Sequence, residues 1–360
     1  MAEWIAPCHF GLEAVARREI ENLGLSVAQV EDGRVTFTGS PADACRANIC
    51  LRTVERVMLK VAQFKAVTFD ELFEATRALP WEDLIPRDGK FWVTKASSVK
   101  STLFSTSDIQ SIMKKAMVER LKSKYHTQWF PEDGSAYPLR VTLNKDIVTI
   151  GLDTTGQSLH RRGYRRFKSQ APITETLAAA LLMLTPWRAD RILVDPFCGS
   201  GTFPIEAAMM AANIAPGIDR AFIAEDMENL FPEKLWVRAR EQARAAEKPR
   251  EAADIQGYDI DPEVLRAARR NAQLAGVEKM IHFQERSAAD FSHAGKYGFV
   301  ITNPPYGERM APEELSELYK TLGEKMREMP TWSFYLITSY EDAQREIGRK
   351  GTRTARSTTA

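Results

Sequence analysis

No part of this 360-residue sequence stays apolar for long. The longest mostly apolar run, Leu177 to Leu184, falls far short of the roughly 20 residues a membrane-spanning helix needs. The start, Met1-Ala2-Glu3-Trp4, lacks the basic opening and apolar stretch of a secretion signal. These two absences predict no membrane association and a cytoplasmic location. Cysteine is scarce, and Cys8, Cys45, Cys50 and Cys198 form no CxxC pair, so free thiols in a reducing compartment are expected rather than a disulfide framework. The five histidines are scattered at no ligand spacing, so no metal is expected. Internal repeats are also missing. With 44% hydrophobic and 27% charged residues, collagen-like and disordered classes are excluded for most of the chain. The length predicts two or three domains.

Net charge is almost absent at +1, yet it is unevenly spread. Residues 90–170 hold 15 Lys/Arg against 6 Asp/Glu, while the remainder holds 34 against 42. A basic segment in an otherwise acidic chain points to a polyanion partner or to a solvated basic face.

The first 65 residues alternate short elements. Trp4–Ala6 reads as a strand, Leu12–Leu23 as an amphipathic helix ended by Gly24, and Val27–Val30 and Arg34–Thr38 as a hairpin around Glu31-Asp32-Gly33. Pro41–Leu51 reads as a helix and Arg56–Phe64 as a strand. The order β-α-β-β-α-β is that of a ferredoxin-like module. Residues 68–156 read as a second unit. It has a helix at Phe69–Ala78, a strand at Phe91–Ala96, a helix opened by Ser107 and Asp108, and a hairpin joining Leu139–Leu143 to Ile147–Leu152. A basic link follows, Arg161-Arg162-Gly163-Tyr164-Arg165-Arg166-Phe167-Lys168. Its interleaved arginines and aromatics suit phosphates and bases together.

From Pro172 the pattern becomes α/β. Helix Glu175–Leu184 precedes strands Arg191–Asp195, Ile255–Asp259, Ile281–Glu285, Phe299–Thr302 and Phe334–Thr338. Asn213–Ala253 reads as a largely helical insertion, and Glu313–Arg327 as a helix. Strands alternating with helices predict a mostly parallel, doubly wound sheet.

Four pieces of this region carry chemistry. Asp195-Pro196-Phe197-Cys198-Gly199-Ser200-Gly201-Thr202 ends a strand and opens a helix, where open α/β sheets bind ligands. Pro204 stands where the nicotinamide fingerprint needs its third glycine, and neither a G-x-S-x-G elbow nor a phosphate-loop GxxxxGK[ST] is present. Asp259, ending the next strand, can accept both hydroxyls of a ribose, while Asp261 before Pro262 reads as a helix cap. Asp290 in Ala289-Asp290-Phe291 can accept from an adenine amine with Phe291 packed nearby. Last comes Asn303-Pro304-Pro305-Tyr306. Its prolines fix the backbone and offer no N–H, so the loop presents acceptors. The Asn303 oxygen and the Pro304 carbonyl can each take one hydrogen of an aromatic amine, and Tyr306 can stack on the base, worth roughly 1–3 kcal/mol.

In this order the four pieces resemble class I S-adenosylmethionine-dependent methyltransferases that act on amines. Leu103-Phe104-Ser105-Thr106-Ser107-Asp108-Ile109-Gln110-Ser111 with Lys114-Lys115 is similar to the core of a THUMP RNA-binding domain. The Arg162-Gly163-Tyr164-Arg165 link, Pro172-Ile173-Thr174-Glu175-Thr176-Leu177-Ala178 and the start Ala6-Pro7-Cys8-His9-Phe10-Gly11-Leu12-Glu13 resemble the same group. Its members are similar to bacterial large-subunit ribosomal RNA guanine-N2 methyltransferases and are often labelled N6-adenine-specific DNA methylases. The resemblance implies a Rossmann-like methyltransferase domain over 172–350, after a ferredoxin-like module (1–65), a THUMP RNA-binding domain (66–156) and a basic linker (157–171).

The resemblance also implies roles. Thr174, Asp195, Phe197, Cys198, Gly199, Ser200, Gly201, Thr202, Asp259, Ile260 and Asp290 would hold S-adenosylmethionine, and Asn303, Pro304, Pro305 and Tyr306 the target base. Lys95, Lys100, Lys114, Lys115, Arg161, Arg162, Tyr164, Arg165 and Arg166 would meet RNA, expected to be 23S ribosomal RNA or its large-subunit precursor. The family's sheet ends in an antiparallel hairpin. Here residues 351–360 are small and polar, so disorder is expected there and an exposed sheet edge before it. Two alternatives stay open: a DNA adenine-N6 methyltransferase, and an RNA-binding assembly factor with little activity.

Overall fold

A computed structural model of the chain describes residues 1–167, 173–250, 253–305 and 310–352. Lys168, Pro172, Tyr306 and the tail from residue 353 lie outside the described residues. The chain divides into two compact units. The first comprises Met1–Cys8, Ala16–Leu159 and Ala221–Gln242, and the second holds the rest.

The first unit is built on one seven-stranded sheet. Its strands are β1 (Ala2–Pro7), β2 (Ser26–Glu31), β3 (Arg34–Gly39), β4 (Met58–Lys65), β5 (Lys90–Val99), β6 (Ala136–Asn144) and β7 (Ile147–Asp153), in the order β2-β3-β1-β4-β7-β6-β5. The helices of this N-terminal part of the chain are α1 (Glu13–Asn22), α2 (Pro41–Cys50), α3 (Phe69–Ala78) and α4 (Thr106–Tyr125).

Local chemistry sets these elements. Ser40 and Asp43 exchange backbone and side-chain hydrogen bonds to open α2, with Pro41 in its first turn. Thr68 and Glu71 do the same for α3. Ser105 caps α4, so that helix begins slightly before Ser107 and Asp108, the predicted start. β4 pairs antiparallel with β7 from Met58↔Asp153 to Lys65↔Ile147. The two N-terminal modules read separately from the sequence therefore share one continuous sheet.

The predicted insertion after Asn213 is helical only in part: among its described residues the one α-helix is α7 (Glu233–Ala245), preceded by a 3-10 turn at Ile223–Asp226. Residues 221–242 group with the first unit. Phe222 stacks on Trp236 at 5.1 Å, Phe231 lies 6.0 Å from Trp4, and the Tyr137 hydroxyl donates to Asn229. Burial of these rings explains why this stretch leaves the chain segment it is sequentially part of.

The second unit holds an all-parallel sheet of β8 (Leu193–Asp195), β9 (Ile255–Asp259), β10 (Ile281–Glu285), β11 (Phe299–Thr302) and β12 (Ser333–Leu336), ordered β10-β9-β8-β11-β12. Its helices are α5 (Glu175–Leu184), α6 (Thr202–Ala211), α8 (Pro262–Leu274), α9 (Pro312–Glu328) and α10 (Ala343–Ile347). The chain builds outward from β8 to β10, then returns to the other side of β8 with β11. Ligand crevices open at such a reversal, past the carboxyl ends of the strands. Val194, Tyr258, Phe291, Val300 and Trp332 form one apolar cluster of this unit. Among the described residues β12 pairs only with β11 and so forms the edge of the sheet.

Candidate active site

Asp195 ends β8 and is 1% exposed. Burial pushes its carboxyl up to about 7, helped by the charge of Asp259. The Thr302 hydroxyl and the Phe197 N–H pull the other way. Beyond it the chain turns sharply. Gly199 and Gly201 take φ of 54° and 87°, and a Cβ on Gly201 would also meet Ala268, Ile205 and Phe283 at 3.1–3.2 Å. The Cys198 N–H donates to the Tyr258 carbonyl at 2.9 Å and the Gly199 N–H to Asp259 Oδ2 at 3.0 Å. Those bonds fasten the glycine loop to the end of β9. Cys198 is buried and its thiol is pushed far up by desolvation, which leaves it inert.

Asp259 Oδ1 accepts from the Asp261 N–H at 3.1 Å. A carboxylate has about four acceptor positions, so both oxygens retain capacity for ribose hydroxyls. Asp261 caps α8 through the Glu263 and Val264 N–H groups, as the Asp-Pro pair predicts. Ile260 is 72% exposed, an apolar side chain at a strand end that a purine ring would cover. Asp290 is exposed in the loop after β10. Phe291, expected near an adenine, is instead 1% exposed within the sheet's apolar cluster. Phe197 packs against the cluster of Leu315, Tyr319 and Leu322 from α9. Thr174 occupies the N-cap of α5, with its hydroxyl 3.4 Å from the His9 ring and 3.5 Å from Thr176.

Asn303 follows β11. Its side-chain oxygen is enclosed and has no hydrogen-bond donor among the described residues. An enclosed acceptor without a donor costs roughly 1–3 kcal/mol, so the Asn303 oxygen is open to a donor from outside the protein, a water or a ligand. Ser200 Oγ, in the glycine loop, is likewise enclosed and unpaired. Pro304 is buried and Pro305 half-buried. The glycine cradle, the Asp259 carboxylate, exposed Ile260 and the unpaired Ser200 hydroxyl fit an adenosyl amino acid. Among the described residues no cluster of three His, Cys, Asp or Glu is arranged to hold a metal ion, and no helix is long and apolar enough to cross a membrane.

The residues expected to meet RNA separate into two groups. Lys95, Lys100, Lys115, Arg161 and Arg166 are exposed. Arg162 and Tyr164 are buried, which corrects their expected role. Arg162 Nε lies 3.4 Å from Glu206 Oε1, and the Tyr164 hydroxyl donates to the same oxygen at 2.9 Å. Arg165 is also taken up, at 2.7 Å from both Glu175 and the Ile173 carbonyl. Lys114 donates to the Phe91 carbonyl on the outer edge of β5, sits 2.7 Å from Glu132 and lies over the Phe91 ring. It closes a sheet edge rather than facing solvent alone.

The sequence did not show that Phe104 and Trp129 stand 81% and 79% exposed. Glu206 escaped sequence reasoning as an anchor. The available signal was one acid inside the otherwise apolar Phe203-Pro204-Ile205-Glu206-Ala207-Ala208 run, which needs a cation to be buried.

Family comparisons agree with this architecture. Residues 162–359 match the family model described as UPF0020, RMKL-like, methyltransferase domain. Residues 3–58 match the RlmL ferredoxin-like domain and 66–153 the THUMP domain. The chain is 44% identical over 352 residues to "Putative RNA methyltransferase YpsC" of Bacillus subtilis (strain 168), covering 97% of this chain and 91% of that protein. It is 32% identical to the ribosomal RNA large subunit methyltransferase K/L of Cellvibrio japonicus (strain Ueda107) over 96% of this chain, and spans 48% of that protein's length. The structure of SMU.472 complexed with SAH superposes with a TM-score of 0.91 at 39% identity, covering 98% of this chain and 93% of that one. These likenesses support S-adenosylmethionine as the cofactor.

Proposed function

Because the chain belongs to the RMKL-like methyltransferase family, we propose that this RNA methyltransferase acts on the exocyclic N2 amine of a guanine in 23S ribosomal RNA. The observation that carries the methyl transfer to an amine is the enclosed oxygen of Asn303 at the end of β11, which has no donor among the described residues; the guanine rests on the likeness to the K/L methyltransferases.

An aromatic amine is a poor nucleophile because its lone pair is delocalised into the ring. Two acceptors placed one on each amino hydrogen, the Asn303 oxygen and the Pro304 carbonyl, favour a pyramidal nitrogen whose lone pair is free to attack. The bound cofactor supplies an electrophilic methyl on a sulfonium. The nitrogen–carbon bond forms as the carbon–sulfur bond breaks, and the cationic amine then loses a proton to water. No carboxylate base is needed. Holding the two reactants in line can itself supply up to about 7–11 kcal/mol of the barrier reduction. Tyr306 is proposed to stack on the base. A guanine inside a duplex must leave its stack to be reached.

The first unit supports RNA as the partner: Lys95, Lys100 and Lys115 are exposed with Phe104 in and around the THUMP match. The test is methylation of ribosomal RNA from a strain lacking the gene, read by nucleoside mass spectrometry. N2-methylguanosine is expected. Transfer to DNA alone, or N6-methyladenosine as the product, rejects the reading.

A further inference from the structure

Backbone pairing between β8 and β11 stops at Val194↔Val300. Beyond that point both chains enter functional loops: the glycine loop after Asp195 and the acceptor loop from Asn303. Among the described residues one side-chain bond spans the gap. The Thr302 hydroxyl donates to Asp195 Oδ1 at 2.5 Å, and the same oxygen accepts from the Phe197 N–H at 3.1 Å. Thr302 and Asp195 are each 1% exposed. Valine would fill the same volume in a strand and favour β structure equally. The hydroxyl therefore adds nothing to packing, and burying it beside a carboxylate carries a desolvation cost. What it adds is a directional, charge-assisted link, the stronger kind of hydrogen bond.

We propose that Thr302 is a positioning residue: through Asp195 it holds Asn303-Pro304-Pro305 in fixed register with the loop Asp195–Gly201, so that acceptor amine and methyl donor meet in line. The inference rests on the methyl-transfer reading above. It extends it to a buried residue one position before the acceptor loop.

The bond is also tied to protonation. The groups that set the Asp195 carboxyl are the Thr302 hydroxyl from β11, the Phe197 N–H of its own loop and the Asp259 carboxylate from β9. The Cys198 thiol is also affected by the Asp195 charge, and by that of Asp259. The hydroxyl lowers the carboxyl's pKa and burial raises it. Removing the hydroxyl therefore moves the titration upward.

The experiment uses the full chain as wild type, Thr302→Val and Thr302→Ser. Methyl transfer to ribosomal RNA and to DNA is followed from pH 6 to 9 at saturating cofactor, and S-adenosylhomocysteine binding is measured by calorimetry. In Thr302→Val, kcat at pH 7.5 is expected to fall at least tenfold while the Kd for S-adenosylhomocysteine changes less than threefold. The acid limb of the kcat profile moves to higher pH. Thr302→Ser, which keeps the donor, restores kcat to within about threefold. A valine variant with wild-type kcat and an unmoved acid limb overturns the proposal. So does a parallel loss of kcat and S-adenosylhomocysteine affinity, which assigns the bond to building the cofactor loop. A wild type that methylates only DNA defeats the guanine reading, yet the valine-to-wild-type ratio on DNA still decides the role of Thr302.

Discussion

Two polar stretches of the second unit treat their polarity in opposite ways. The link around Arg161–Arg166 is the more highly charged, yet its Arg162, Tyr164 and Arg165 are buried or half-buried on Glu206 and Glu175. The strand-end loops at 195–201 and 303–305 carry less charge, yet they hold enclosed atoms with no partner among the described residues, Ser200 Oγ and Asn303 Oδ1. Arg162, Tyr164 and Arg165 of the link are spent on the protein, while Arg161 and Arg166 stay exposed. Charge density therefore does not measure availability.

Mutation of each stretch tests the contrast. The largest expected effect on activity is at the loops. Asn303→Ala should lower kcat by about 10²–10³-fold, the scale of losing one aligned polar group at a reacting centre. Its melting temperature should be unchanged or higher, because an unpaired acceptor is removed. Equal loss of activity and stability would place Asn303 with the link instead.

Arg162→Ala should behave in the reverse way. It leaves the Glu206 carboxylate buried without its cation, a loss of about 3–5 kcal/mol. Calorimetry should show a sharp drop in melting temperature, with RNA affinity of the folded fraction unaltered. Its neighbour Arg166→Ala should leave the melting temperature alone and reduce the salt dependence of RNA binding by about one ion.

Asp195 stands between the two behaviours, buried but only partly satisfied. Its carboxyl is raised from 3.8 to about 7 in the fold. A carboxyl raised on folding contributes stability at low pH that is lost as pH rises through the folded value. Asp195→Asn removes that titration. The variant's advantage in unfolding free energy should widen by about 2 kcal/mol between pH 5 and 7. A pH-independent difference between the two proteins would show that Asp195 does not titrate in this range.

The smallest effect belongs to the first unit. Phe104→Ala should weaken binding of single-stranded RNA by about 1–3 kcal/mol, the usual worth of a base stacked on an aromatic ring. Stability should not change, because the ring is already 81% exposed. Unchanged affinity would remove Phe104 from the RNA surface.

Local features were legible from sequence. Asp261-Pro262 announced the start of α8, Gly33 the β2–β3 turn, and alternating strands and helices the parallel sheet. The stiffness of Asn303-Pro304-Pro305 was readable because two consecutive prolines limit the backbone whatever surrounds it. Pairings between distant residues were not legible. Arg162 meets Glu206 44 positions away, and β4 meets β7 across more than 80, and no local period encodes either. The same limit hid the transfer of residues 221–242 to the first unit, since Phe222, Phe231 and Trp236 read as a core without saying whose core it is. Phe291 misled for the mirror reason: it sits beside a functional loop but points into the sheet's interior.

The pairing of β4 with β7 has a practical corollary for cutting this protein into pieces. The ferredoxin-like and THUMP matches end and begin on either side of residues 59–65, which invites an excision there. Yet seven residue pairs of the β4–β7 ladder cross that border. A fragment starting at residue 66 would carry β7 with a raw backbone edge, a template for joining another chain. The two N-terminal homology modules are thus one mechanical plate, and a soluble RNA-reading fragment must begin at the first strand, not at the module boundary.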